Sequence, residues 1–436
     1  MNKKILLFSM LLLFFMVSLN VQAQETILIK NGTINPVVGS IIENGSLLIQ
    51  KGKIVKVGKD ISAPEGAKII DAQGMYVYPG LVALMTALGV TGYPGAGNDT
   101  DETGVSTPQM DPYDALNPED PTIEVARIEG VTTAMTSSGS RSVINGKAIA
   151  LNLEGNLAEE MVVKRDVAVI FNTAAKVEGQ YPSTIPGVAS LIRDKLNDAK
   201  AYAEKKKKPP KKEEKKEGEK KTEAFKVDLG LEALIPVLEG KVPAVFVTNS
   251  EVTIRNALQI IKEYKLKGII HARAGILKFA DKLAAEKIPV IWAGTTTIPE
   301  RWEPYDLNYN TAAVLSDKGV LFAFHESGRG LGNTGVRNLP VPASISVAHG
   351  LSEEEALKAI TINPAKILGV DNQVGSLEAG KTANVVIASK NPIQMSSRVH
   401  TLVINGKIIP LTSLQTRLRD KFEKIVKARS KKKKNG

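Results

Sequence analysis

The chain has 436 residues, 43% of them hydrophobic and none of them cysteine. That is enough apolar material for a large barrel with a smaller domain beside it, and it excludes a disulfide framework and a lipid-modified cysteine. The formal charge of +11 would suit a nucleic-acid binder, but residues 1–23, 204–223 and 417–436 carry +2, +4 and +8, so the body is left at −3 and offers no polyanion-binding surface.

Taken in chain order, Lys3 and Lys4 precede an apolar run over 5–19, and Val21-Gln22-Ala23 follows it. This is the form of a secretory signal, residues 1–23, cleaved after Ala23. The run is short for a bilayer span and no second one follows, so no integral membrane span is expected. The mature chain is expected in the periplasm or secreted.

Residues 26–34 and 45–57 read as short strands joined at Asn31-Gly32, Asn44-Gly45 and Lys51-Gly52, where the glycine dipeptides supply the positive φ of tight turns. Residues 375–387 and 399–409 have the same character near the other end. Between them β-rich runs at 130–135, 167–171, 244–248, 268–272, 290–293 and 320–324 alternate with helical stretches such as 122–129 and 191–203. That alternation predicts a mostly parallel sheet with covering helices.

The Lys/Glu run 204–223, broken by Pro209-Pro210 and Gly218, is too polar to order itself and reads as a solvated insert or an interaction arm. The basic tail 413–436, ending in Lys431 to Lys434, has the same two readings, the second being contact with anionic lipid or lipopolysaccharide. Ahead of it, Ser352 and Glu355 form a capping box, Ala356, Leu357 and Ile360 an apolar stripe, and Asn363-Pro364 an interruption before a last turn ending at Gly369.

One stretch organises the rest. An apolar run over 77–89 breaks at Pro79-Gly80 and resumes, and it resembles the entry into the first barrel strand of the amidohydrolase superfamily, Pro-Gly-Leu-Ile-Asp-x-His-x-His. Residues 130–133 (Gly-Val-Thr-Thr), 114–118 (Asp-Ala-Leu-Asn-Pro), 350–370 and 380–384 (Gly-Lys-Thr-Ala-Asn, with Asn where the family has Asp) are also similar to that family, particularly its imidazolonepropionase-like exported members. The resemblance runs over nearly all of 26–409 apart from the Lys/Glu insert. It implies an α/β fold: a distorted TIM (β/α)8 barrel over 79–369, plus a small composite β-sandwich from 24–78 and 370–412. It also implies a metal-dependent hydrolase of carbon–nitrogen bonds other than peptide bonds, acting on cyclic amides or N-acyl compounds.

The family's metal ligands are mostly missing. Two histidines one residue apart on a strand would face one cation, because side chains at i and i+2 share a side. Those positions hold Met85 and Ala87. A thioether suits copper(I) better than zinc, and a methyl group binds nothing. The strand-five histidine falls at Val247, and no bridging lysine or acid stands at strand four.

On strand six, His271 is either a surviving ligand or a histidine bonded to backbone or water. The strand-eight aspartate is replaced by Glu326 or Ser327, leaving His325 and Glu326 as the acid/base candidates at the barrel mouth. His349 and His400 are expected to be structural or remote, and the acidic loop 99–118 to be a lid or a lone calcium site.

Two functions stay open. One is a hydrolase with no metal or a single zinc or manganese ion. The other is a pseudoenzyme that binds a small amide-type ligand or pairs with an intact amidohydrolase homologue. Metal lowers the pKa of bound water to about 7, whereas a lone general base supplies roughly 10²- to 10⁴-fold.

Overall fold

The structure is a computed structural model that describes residues 25–91, 99–100, 104–176, 179–207, 225–297, 307–326 and 332–434. The expected leader 1–23, residues 208–223 of the Lys/Glu run and residues 101–103 of the acidic loop lie outside the described residues.

Five strands come first: β1 (Ile27–Ile34), β2 (Ile42–Gln50), β3 (Lys53–Gly58), β4 (Lys68–Asp71) and β5 (Tyr76–Pro79). Eight follow: β6 (Leu81–Thr86), β7 (Val131–Ser137), β8 (Ile144–Asn152), β9 (Val162–Asn172), β10 (Ala244–Thr248), β11 (Gly268–Ala272), β12 (Val290–Trp292) and β13 (Phe322–Phe324). The last three are β14 (Val385–Ala388), β15 (Val399–Ile404) and β16 (Lys407–Ile409).

The first and last groups make one sheet in the order β16-β15-β14-β5-β1-β2-β3, with β4 also on β1. Its two ends share a core, Ile408 of β16 packing against the cluster that holds Ile54 of β3. Of the three expected turns, only Lys51-Gly52 is one, joining β2 to β3 with φ of 49° and 73°. Asn31 and Asn44 also have positive φ, but they sit inside β1 and β2 where the register slips. The same dipeptide chemistry makes bulges there, because the flanking residues continue the ladder on both sides.

The middle eight strands form a barrel in sequence order from β6 to β13. All run parallel except β8, which lies antiparallel between β7 and β9. The distortion of the barrel is therefore a hairpin in place of its third βα unit. Side chains alternate as strand geometry requires: Val82, Leu84, Ile170, Val245, Ile269, Ile291 and Ala323 fill the interior, while Phe171, Phe246, Ile270, Trp292 and Phe322 pack under the outer helices.

β13 and β6 do not pair directly. The chain between helices Glu353–Lys358 and Ile362–Leu368 fills the seam, with Phe324 N–H donating to Ala359 O at 3.1 Å and Val82 N–H to Ile360 O at 2.9 Å. Ser352 accepts from Glu355 N–H, and Gly369 closes the second helix at φ 64°. Asn363-Pro364 does not interrupt a helix as expected from the sequence; it lies in the first turn of the second one. That position suits proline because its missing N–H has no intrahelical acceptor there.

Helix Ile185–Lys207 runs into the start of the Lys/Glu stretch, and the basic tail is a helix, Leu414–Lys434.

Candidate active site

The C-terminal mouth of the barrel brings His271 and His325 together. His271 is on β11 in register with Val247 on one side and Ile291 on the other. It faces inward because Ile269, two residues earlier, does. His325 follows β13 and continues its ladder by one residue, its N–H donating to Trp292 O at 2.9 Å. Two residues beyond the inward Ala323, it too points inside. The ring centroids are 5.1 Å apart, edge to face, and the residues are 3% and 8% exposed.

The pair is dry and poorly satisfied. The Leu84 backbone faces the His325 ring and favours its protonated form, while Nδ1 has no partner. Neither ring nitrogen of His271 has one. Burial, and next the neighbouring His325, push the His271 imidazole well below its ordinary range, while burial and the Arg273 guanidinium bring His325 down to about 4. Desolvation dominates both because neither ring has a carboxylate holding its proton. At neutral pH both are uncharged rings able to donate and accept hydrogen bonds.

Glu326 does not join them. Adjacent to an inward residue, it turns to the rim and accepts from Thr296 Oγ1 at 2.7 Å. The acid/base pair expected from the sequence is therefore split by strand alternation, and the inward strand-eight position belongs to His325. Ser327 lies outside the described residues.

Met85 and Ala87 also depart from the simple strand picture. β6 carries an extra residue against β7 between Ala83 and Thr86, and Met85 sits there at φ 55°. A left-handed methionine costs roughly 1–2 kcal/mol, and here it packs partly against the barrel interior. Ala87 lies past the strand, its N–H donating to Asn333 Oδ1 at 3.0 Å. The bulge breaks the period of two, so these positions do not form one inward face.

The described residues at the mouth do not by themselves make up the ligand set of the family's divalent metal. Among the described residues no group of three or more His, Asp, Glu or Cys could hold an ion. Zinc sites need three or four such ligands, and the mouth offers two imidazoles beside Val247. His349 caps a helix, its Nδ1 2.8 Å from Ile345 O, and His400 is exposed on β15. The contribution of Leu84 and Arg273 was not legible from the sequence, since a backbone carbonyl carries no residue signal and Arg273 matters only through burial of its neighbours.

A family model described as the amidohydrolase family matches residues 308–409. An amidohydrolase from Thermotoga maritima MSB8 is 31% identical, with a TM-score of 0.78 over 88% of this chain and 99% of that one. The amidohydrolase tasK of Hapsidospora irregularis is 24% identical over 392 residues, 83% of this chain but 39% of that protein. A 5'-deoxyadenosine deaminase of Methanobrevibacter smithii is 25% identical over 411 residues, 85% of this chain and 86% of that one. Together with the barrel and its composite sheet, the match over nearly the whole length of the Thermotoga protein means that this chain belongs to the amidohydrolase superfamily.

Proposed function

We propose that this protein is a catalytically silent amidohydrolase, exported to the periplasm or secreted, whose barrel mouth binds a small amide-type molecule without hydrolysing it. The observation that carries this is the content of the mouth: two buried neutral imidazoles stand beside Val247, with Met85 on a bulge and Ala87 beyond it. A ring with a pKa of about 4 is a poor base at neutral pH, where catalytic bases work best near 7. The pair is better suited to hydrogen-bonding an amide, one ring offering N–H and the other a lone pair. An intact amidohydrolase homologue is the partner that would supply chemistry in a heteromer.

A second reading rests on the orphaned nitrogens. Buried polar atoms nearly always have partners, and each of the two facing rings has a free nitrogen to give a single zinc or manganese ion, whose remaining ligands would have to come from water or from residues beyond those described. The test is elemental mass spectrometry on protein purified without chelator, for the native chain and His271→Ala, together with hydrolysis assays on N-acyl and cyclic amides. Metal well below one per chain and no turnover are expected. Near-stoichiometric metal that disappears in His271→Ala, with turnover, would establish the second reading.

A further inference from the structure

We infer that helix Leu414–Lys434 docks this protein onto the surface of an anionic lipid bilayer. The helix is built as an arm. Ser413 and Thr416 cap its start reciprocally, and its first turn is tied to the body through Glu124, which accepts from Leu414 N–H at 3.0 Å and from both Arg417 guanidinium nitrogens at 2.9 Å. Beyond that turn its apolar side chains have no cover: Leu418, Phe422, Ile425 and Val426 are 41%, 57%, 37% and 61% exposed. Their spacing of four, three and one places them on one face.

The charge pattern selects the occupant. Residues 417–436 hold ten Lys or Arg and two acids. Both acids pair within the helix, Asp420 with Arg419 at 2.8 Å and Glu423 with Lys427 at 3.5 Å, so they add no recognition of a basic partner. A second copy of the helix would bring two strongly positive arms together. A nucleic acid would neutralise the lysines but leave the apolar face wet. A bilayer surface with anionic headgroups satisfies both at once, taking the apolar stripe to the acyl boundary while Lys and Arg reach the phosphates. At about 1.5 Å per residue the helix lies some 30 Å along such a surface.

The test is co-sedimentation of the full chain with vesicles of phosphatidylcholine alone and of equal parts phosphatidylcholine and phosphatidylglycerol. The protein is expected to pellet only with the anionic vesicles and to be released by high salt. Phe422→Ser with Ile425→Ser should weaken binding about tenfold or more through lost apolar burial, with the thermal midpoint unchanged because neither side chain packs on the body. Three outcomes would overturn the inference. The native chain could stay in the supernatant with both vesicles. The double variant could bind as well as the native chain, making the contact one of charge alone. Or the native chain could elute as a dimer that the double variant dissolves, making a second copy the cover.

Discussion

His325 illustrates how far environment moves one side chain. Its folded pKa is about 4, against roughly 6.5 for an unfolded histidine. Between those values the unfolded chain holds a proton that the folded chain does not, so stability rises with pH across this window. Above pH ~6.5 both states are neutral and the full stability is present; below it His325 removes about 1.4 kcal/mol per pH unit until its folded pKa of about 4, and His271 acts in the same direction. Urea unfolding between pH 4 and 8, with chelator present, should show this slope. His325→Gln keeps a donor for the Leu84 backbone and should remove the share of the slope due to His325. An unchanged slope in the variant would contradict the burial of this ring. The sequence marks His271 and His325 as the interesting histidines, but not that they touch, since 54 positions separate them and only the barrel joins their strands.

At the scale of elements, the passage from β5 to β6 shows why one glycine is needed. A Cβ on Gly80 would lie 2.0–2.6 Å from the side chain of Thr132, while one on Gly58 would meet nothing within 4 Å. Gly80→Ala is expected to cost about 1–3 kcal/mol through overpacking, and Gly58→Ala to stay within about 0.5 kcal/mol. Chemical denaturation of the two variants compares them directly, and equal effects would mean that β7 yields freely at Thr132.

The helices flanking the seam were readable from Ser352, Gly369 and their apolar spacing. Where the chain breaks between them was not, because the break lies where Ala359 and Ile360 turn their carbonyls to β13 and β6. That demand comes from barrel closure and leaves no local signature. β8 escaped the reading for a similar reason: a strand buried on both faces lacks clean alternation, and its direction is set by its neighbours.

Across the whole molecule, the small sheet and the barrel are joined by a buried polar network. Asn384 donates to Asn152 Oδ1 at 2.8 Å and to Thr133 Oγ1 at 3.2 Å, and accepts from Asn405 N–H at 3.0 Å. Asn152 in turn donates to Asn405 Oδ1 at 2.6 Å. Asn384 stands where the family has aspartate, and its amide is used on both sides. Asn384→Ala strands these partners and is expected to cost about 1–3 kcal/mol. Asn384→Asp, which sets a carboxylate against Asn152 Oδ1, should cost a comparable amount unless that amide flips. Thermal unfolding of both variants measures this, and a midpoint unchanged in Asn384→Ala would mean that water replaces the network without loss.

Local and compositional features are legible along the chain: the strand runs, the Lys51-Gly52 turn, the caps of the helices around the seam, the family frame, and the absence of histidine at positions 85, 87 and 247. These follow from short-range sterics, periodicity and residue chemistry, which neighbours a few positions away already impose. The tertiary structure alone decided that β8 runs backwards, that β6 bulges at Met85, that Glu326 leaves the site, and that His271 and His325 share a dry mouth. Each of those depends on which distant strands become adjacent and on how much water they exclude, and neither quantity is written in any single stretch of the chain.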